Sequence, residues 1–384
     1  MSSILILASH HSNERKHGLY PTAVKYHHKL GLECFLYLIS TPETLGPYAE
    51  TGAKILLKGK TNRASLPKVD LFLFASVRFR QDLSMIRQHI AEAGKPELIL
   101  ALNSSPIAGT VAYLAGREHD VPFVVWEHLT HYQRKILRGF RLKRRINIMT
   151  AATSVLAVSE SLSESIQSTL DISNEKFSIM PNPIPIDFIG TLPPVSEKYK
   201  NLRTANFTFG AWTNWRRIKR LDLLLEAFSI VRKEYPDTSL VLAGPIGKNV
   251  YSKINSKFMS QPGLVRLGSI PRDEVVDIAR IVDCCVIPSD HETFGLPALE
   301  AIAMGRPVIT TRCGGPEHLV TPTNGIVVDK GSAHALAEAM IDMIHNHKNY
   351  NCKHIANSAR ADFGPSKMQR RWEQFYRKLG LLGL

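Results

Sequence analysis

The sequence has few cysteines, and none of them stands at a metal-binding or redox spacing. The five cysteines of the 384 residues are an odd number, and C-x-x-C does not occur. The histidine pairs that begin at His10 and His27 have no partnered carboxylate or cysteine at a ligand spacing. The sequence therefore predicts a protein of a reducing compartment that binds no metal.

Long hydrophobic runs are also missing. The first residues lack the basic start and the long apolar stretch of a secretory signal. Later apolar segments, such as LFLFASV at 71–77, are too short to span a membrane or are interrupted by Asn, Ser and Pro. We therefore expect a cytoplasmic protein without a transmembrane helix.

Acidic residues are in the minority, with 34 Asp and Glu against 48 Lys and Arg, so the formal net charge is +14. This excess favours an anionic partner. Charge alone does not decide whether that partner is nucleic acid, acidic lipid or a phosphorylated metabolite. An apolar fraction of 44% indicates a folded globular protein, and the length favours two domains.

Strand-length apolar runs alternate with helix-length amphipathic segments, which is typical of parallel sheets with crossover helices. A polar, Pro-containing segment at 191–206 interrupts the series, and a second series begins at FTFGAW (207–212). The sequence predicts an α/β chain of two Rossmann-like domains, at 1–190 and 191–365, followed by a helix at 366–384. The strands expected in the first domain are Ile4–Ala8, Glu33–Ile39, Leu71–Ala75, Leu98–Ala101, Phe123–Trp126 and Val155–Val158.

Two glutamates with seven residues between them, Glu292 and Glu300, lie in the segment HETFGLPALEAIAMG. Pro297 and Gly305 predict a short helix from Pro297 to Met304, with Glu292 in the preceding loop and Glu300 near the first turn. Both carboxylates then face one ligand. The backbone N–H groups at the start of this helix suit a phosphate, and they belong to Thr293, Phe294, Gly295 and Leu296.

The run from Pro288 to Asp329, together with VLAGP (241–245) and GSIPRDE (268–274), resembles the donor-binding core of retaining glycosyltransferases of family four. The resemblance implies the GT-B fold, in which two Rossmann-like parallel-sheet domains face each other across a donor-binding cleft. It implies transfer of a sugar from a nucleotide-diphosphate sugar to a hydroxyl of a glycan or lipid-linked acceptor, in surface polysaccharide or glycolipid synthesis. The final helix, with its apolar stripe of Met368, Trp372 and Phe375, would pack back on the first domain.

The resemblance also implies roles for single residues of the second domain. Glu292 would contact hydroxyls of the donor sugar, and Glu300 would contact the ribose. Lys219 matches the lysine that neutralises the diphosphate. The arginine that the family carries directly after Gly210 is replaced by Ala211. Either Arg216 or Arg217 would then supply that charge, and the backbone around Ile270 would contact the base.

In the first domain, His128 matches the histidine that reaches the donor sugar, and Gly18 matches a glycine-rich turn on the acceptor or phosphate side. The sequence has no Asp-x-Asp element, and Lys219 with the helix N-terminus supplies positive charge, so we expect catalysis without a divalent metal or any cofactor. The nucleotide sugar is the donor substrate.

A basic amphipathic segment runs from Arg134 to Arg145. It suits an anionic membrane surface, which would make the protein peripheral on the cytoplasmic face, and it equally suits a solvated helix face beside the acceptor. Three other functions stay open: a non-hydrolysing nucleotide-sugar epimerase, a nucleic-acid binder, and a catalytically silent partner of another transferase. The absence of a nucleic-acid-binding motif disfavours the second.

Overall fold

The computed structural model describes residues 3–8, 30, 33–39, 54–58, 71–105, 108–190, 192–203, 205–247, 250, 254 and 256–382. Within these residues the chain forms two compact units. One unit comprises residues 1–181 and 368–384, and the other comprises residues 182–367. Each is built on a parallel sheet.

The first unit contains a sheet of seven described strands in the order β3-β2-β1-β4-β5-β6-β7. Every residue of the central strands β4, β5 and β6 is buried, as expected for a parallel sheet covered by helices on both faces. The strands are β1 Ser3–Ala8, β2 Glu33–Ile39, β3 Lys54–Lys58, β4 Leu98–Ala101, β5 Phe123–Glu127, β6 Ser154–Ala157 and β7 Phe177–Ile179. The helices before β7 are α1 Leu71–Ala93, α2 Ala108–His119, α3 Gly139–Ala151 and α4 Glu160–Leu170.

The second unit contains a sheet of six described strands in the order β10-β9-β8-β11-β12-β13. Its strands are β8 Phe207–Trp212, β9 Thr238–Ala243, β10 Leu264–Gly268, β11 Cys284–Ile287, β12 Val308–Thr311 and β13 Gly325–Val328. Its helices are α5 Glu197–Lys200, α6 Leu221–Glu234, α7 Ser256–Met259, α8 Val275–Ile281, α9 Leu296–Ala303, α10 Ala333–Asn346 and α11 Cys352–Phe363. The order changes direction between β8 and β11, which is where open α/β sheets bind ligands.

The strand predicted at Leu71–Ala75 is wrong, because these residues begin the 23-residue helix α1. A short apolar run is compatible with a buried strand or a helix, and periodicity alone does not separate them. The sequence reading also missed β3. Among the described residues, no helix combines the length and apolar character that a membrane span requires.

The segment expected to be a linker packs within the second unit. The Tyr199 side chain is buried, and the backbone N–H of Ser196 donates to Asp277 at 3.1 Å. Residues before it also belong to this unit, since the Ile184 N–H donates to the carbonyl of Phe363 at 3.0 Å. The division therefore lies after Pro181, earlier than the 190/191 boundary that the sequence suggested.

The last helix, α12 Pro365–Lys378, extends into the first unit. Trp372 is fully buried, and its ring meets that of Trp126 edge to face with 5.2 Å between centroids. The Trp126 indole in turn donates to the Met180 carbonyl at 2.8 Å. An apolar stripe that is distant in sequence thus completes the core beside β5.

Candidate active site

Glu292 lies in the loop after β11, and its backbone is held in place on both sides. Its N–H donates to the Cys313 carbonyl at 2.8 Å, and its own carbonyl accepts from the Gly315 N–H at 2.9 Å. A Cβ on Gly315 would lie 2.3 Å from Cα of Phe294, so only glycine allows the two loops to approach this closely. The side chain of Glu292 therefore starts from a fixed backbone.

Lys219 and Glu292 form a buried ion pair through Nζ and Oε1, and each residue is 8% exposed. Lys219 ends a short 3₁₀ segment, Arg217–Lys219, directly before α6. The Ser289 hydroxyl also donates to Oε1 of Glu292 at 3.0 Å. A cation, a carboxylate and a hydroxyl thus converge at the carboxyl ends of β8 and β11.

These groups line a small pocket. Trp212, Pro297 and the backbone after β11 complete its walls. The pocket lies entirely within the second unit. Its lining combines apolar surface with a few convergent polar groups, as ligand sites do.

The start of α9 borders this pocket. Gly295 precedes the helix with φ of 89°, and a Cβ there would lie 2.4 Å from Cγ of Pro316. Phe294 is buried and meets Phe363 edge to face at 5.9 Å, while Thr293 and Leu296 are partly exposed. The helix N-terminus suits an anionic group that enters the pocket.

Glu300 is fully buried and is the fifth residue of α9, so it belongs to the second turn and not to the first as expected. Its Oε2 accepts from Nε1 of Trp212 at 2.7 Å, and its Oε1 pairs with the Arg272 guanidinium. Arg272 also lies over the Phe188 ring at 5.7 Å. The sequence reading missed Trp212 and Arg272, although both belong to segments that it had singled out.

The remaining predicted residues of this unit lie in different environments. Ile270 follows β10 and is partly buried. Arg216 and Arg217 are exposed. The neighbouring Arg220 instead pairs with Asp290 at 3.1 Å, close to the Glu292 loop. Burial raises the pKa of Cys313 to about 12, so this thiol stays protonated and is a poor nucleophile.

In the first unit, His128 follows β5 and its ring meets the edge of Trp126 with 4.5 Å between centroids. Nε2 of the ring is shielded from solvent, and burial lowers the pKa of His128 to about 3. The imidazole is therefore neutral at physiological pH. Gly18 lies outside the described residues.

Two family models match the chain. Residues 22–188 match Glycosyltransferase Family 4, and residues 200–362 match Glycosyl transferases group 1. The capsular polysaccharide biosynthesis glycosyltransferase CapM of Staphylococcus aureus is 25% identical over 73% of this chain and 74% of its own. The D-inositol 3-phosphate glycosyltransferase of Corynebacterium urealyticum is 34% identical, but the match spans only about a third of either chain, 33% and 32%.

Solved structures show the same fold. Anabaena HepE, in complex with UDP and glucose, superposes with a TM-score of 0.78 over 100% of both chains at 16% identity. Sucrose-phosphate synthase of Thermosynechococcus elongatus gives a TM-score of 0.79 over 99% of both chains at 17% identity. The fold is GT-B, and the two family matches together include every described strand except β1. The chain belongs to family four of the group 1 glycosyltransferases.

Proposed function

We propose that this protein is a retaining glycosyltransferase that transfers a sugar from a nucleotide-diphosphate sugar to a hydroxyl of a glycan or lipid-linked acceptor, in surface polysaccharide or glycolipid synthesis. The observation that carries the proposal is the buried Lys219–Glu292 ion pair beside the N-terminus of α9. Positive charge and a hydroxyl-binding carboxylate meet there in one pocket, as a phosphorylated sugar requires.

Lys219 is the residue that we assign to the departing diphosphate. Sugar transfer passes through an oxocarbenium-like transition state, and negative charge grows on the leaving phosphate. When the donor binds, the Lys219 ammonium would interact with the diphosphate as well as with Glu292. The N–H groups at Gly295 and Leu296 would add to this stabilisation, which supports a reaction that needs no divalent metal.

Glu292 is the residue that we assign to the donor sugar. Its carboxylate is already oriented by Lys219 and Ser289, and it would accept hydrogen bonds from sugar hydroxyls. We treat it as a binding residue and not as a covalent nucleophile. Retention would then follow from same-face attack, in which the leaving phosphate takes the acceptor proton.

Glu300 would bind the ribose, with Trp212 and Arg272 fixing its carboxylate, and the backbone near Ile270 would contact the base. His128 would contribute a neutral imidazole that exchanges hydrogen bonds with a sugar hydroxyl. Arg216 and Arg217 are exposed, so a substitute for the absent family arginine would have to come from one of them by movement of their loop. The UDP held by the structural relative HepE makes uridine nucleotides the first donors to test.

Membrane contact belongs to the same proposal. Phe140 and Ile136 are 67% and 44% exposed among the basic residues of the Arg134–Arg145 segment. Exposed apolar side chains among cations suit the surface of an anionic bilayer. Flotation with phosphatidylglycerol vesicles should carry the protein upward, and Phe140→Ser should reduce this. Equal flotation with phosphatidylcholine vesicles would contradict an electrostatic attachment.

The donor assignment is tested by thermal stabilisation with UDP, GDP and their sugar conjugates, since a ligand of the folded state raises the melting temperature by mass action. One nucleotide family should stabilise the protein, and Glu300→Gln should reduce the shift. Transfer in EDTA, with the anomeric configuration of the product read by NMR, tests metal independence and retention. An isomerised donor in the absence of acceptor would indicate an epimerase, and absence of any nucleotide shift would overturn the proposal.

A further inference from the structure

The loop after β5 is organised by one buried carboxylate, Glu127. Its Oε1 accepts from the N–H groups of His128 and Leu129, both at 2.8 Å. Its Oε2 accepts from the Ser104 N–H at 3.1 Å and from the Ser104 hydroxyl. These bonds join the ends of β4 and β5, and they leave the Glu127 carboxylate little capacity for a further cation.

Arg145, on α3, is a buried cation in the same unit. It is 2% exposed, and its Nε and Nη1 are shielded from solvent without a hydrogen-bond partner among the described residues. Within that part of the chain no carboxylate lies at ion-pair distance from it. An uncompensated buried charge costs several kcal/mol, so proteins keep such charges paired. Arg145 therefore has no anionic partner in the described part of the chain.

Two neighbouring side chains also have shielded nitrogens without a hydrogen-bond partner among the described residues. Nε of Arg144 and Nδ1 of His131 are shielded from solvent and have no hydrogen-bond partner in the described residues. Burial lowers the pKa of His131, and the positive charge of Arg145 lowers it further. Burial likewise lowers the pKa of Arg144 to about 10, with Arg145 and then Arg141 as the next causes. Arg145 thus acts on both Arg144 and His131 as a nearby positive charge, whereas the Glu127 carboxylate acts in the opposite direction and raises the pKa of His131.

A solvated helix face does not explain these residues. Arg141 and Lys143 on the same helix are exposed and fit that description, whereas Arg145 does not. A flat membrane surface does not explain Arg145 either, because a bilayer meets exposed side chains such as Phe140. A shielded guanidinium is instead contacted by a discrete anionic group that enters the protein.

We propose that Arg145, with Arg144 and His131, binds a phosphate group carried by the acceptor. Guanidinium forks match the oxygen geometry of phosphate, and several cations favour a doubly charged group over a carboxylate. The loop after β5 lies at the carboxyl ends of the strands, the edge at which open α/β sheets bind ligands. That the phosphate belongs to an acceptor rests on the proposed function, whereas the anion site itself does not.

Inorganic phosphate is the first probe, titrated at constant ionic strength against chloride. The Lys219→Ala background removes the donor-site cation, so that the remaining thermal shift reports on the first unit. Phosphate should raise the melting temperature there by mass action. Adding Arg145→Gln should weaken phosphate binding at least about tenfold, the loss expected for a charge-assisted hydrogen bond. Lys143→Gln removes the same charge from an exposed position and should leave binding unchanged.

Stability without phosphate separates this role from a structural one. An unpaired buried cation predicts that Arg145→Met melts at the wild-type temperature or above it when phosphate is absent. A guanidinium that held the fold together would instead give a lower melting temperature, and that result would overturn the proposal. Arg145→Lys retains the charge without the fork, so it should fold and bind phosphate more weakly. A phosphate response of Arg145→Gln equal to that of Lys143→Gln would also overturn it.

The source of the phosphate is resolved by competition. Glycerol 3-phosphate represents a soluble ester, and a polyprenyl phosphate in detergent micelles represents a lipid-linked one. Displacement of inorganic phosphate by either one supports the acceptor assignment and identifies its class. Displacement by neither would overturn that assignment. UDP binding measured on Arg145→Gln should stay at the wild-type value, so failure of the donor site is recognised separately.

Discussion

Nε1 of Trp212 lies 2.7 Å from Oε2 of Glu300, although 88 positions separate the two residues in the chain. Trp212 ends β8, and Glu300 belongs to the helix that follows β11. These two strands are neighbours in the sheet, so their carboxyl ends meet. The contact fixes a fully buried carboxylate through the sheet order, and it places that carboxylate next to the pocket that Trp212 lines.

Glu300→Gln should weaken nucleotide binding about tenfold, because a hydrogen bond to a charged acceptor contributes about 1.5–3 kcal/mol against about 1 for a neutral one. It should also lower the free energy of unfolding, since the Arg272 guanidinium loses the negative charge of this carboxylate. Titration calorimetry with UDP and urea unfolding measure the two effects. The exposed Glu226→Gln on α6 serves as control. Unchanged nucleotide affinity in Glu300→Gln would remove this residue from the binding site.

Lys219→Ala should lower kcat roughly 10²–10³-fold, the loss expected when a group that stabilises leaving-group charge is removed. KM for the donor should change less, if the ammonium acts mainly in the transition state. Steady-state release of nucleotide measures both constants. Lys233→Ala removes an exposed lysine from the other end of α6 and should leave both unchanged. A Lys219→Ala enzyme with wild-type kcat would reduce this lysine to a structural partner of Glu292.

Gly295→Ala and Gly331→Ala separate backbone strain from steric conflict. Both glycines have positive φ, 89° and 94°, but a Cβ would strike Pro316 only at Gly295, whereas the space around Gly331 is open. Backbone strain alone should destabilise each variant by about 1–3 kcal/mol. Gly295→Ala should lose more, and it should also bind nucleotide more weakly. Equal losses of unfolding free energy in urea would show that the loop around Pro316 shifts to accommodate the added Cβ.

Trp372→Ala should lower the free energy of unfolding of the first unit by about 3–5 kcal/mol, because it empties a fully buried site against Trp126. Fluorescence-detected urea unfolding measures the loss. Gln374→Ala, on the exposed face of the same helix, should stay close to wild type. A small effect of Trp372→Ala would mean that the last helix contributes little to this core.

His128 makes the stability of the first unit depend on pH. Its pKa falls from the ordinary 6.5 to about 3 in the folded protein, because burial disfavours the imidazolium. Between these values the unfolded chain binds a proton that the folded one does not, so this contribution is complete above pH 6.5 and declines as the pH falls toward 3. His128→Asn should therefore unfold less steeply with acid than wild type. The exposed His354→Asn should follow the wild-type curve, and a parallel curve for His128→Asn would contradict the assignment.

The sequence predicted the buried strands well and the mixed segments poorly. Glu33–Ile39, Leu98–Ala101 and Val308–Thr311 match the structure residue for residue, because strands of a parallel sheet appear as short, largely apolar runs. Leu71–Ala75 has the same appearance but begins a helix. Lys54–Lys58 was missed because lysines bound an apolar run of only three residues.

The residues of the candidate site likewise fall into those that a local sequence pattern predicts and those that it does not. Glu292, Gly295 and Glu300 belong to one continuous segment, so their spacing in the sequence already indicates that they lie close together in the structure. Trp212 and Arg272 approach Glu300 only because β8, β10 and β11 share a sheet. No spacing along the chain encodes such a contact, and it emerges only when the strand order is known.

The return of α12 to the first unit has a consequence for biosynthesis. A ribosome delivers residues 182–367 before it delivers the helix that contains Trp372. The first unit therefore emerges with the surface beside Trp126 uncovered, and this surface stays uncovered until the whole second unit has been translated. During that interval the nascent chain exposes an apolar patch, which is the kind of surface that chaperones recognise.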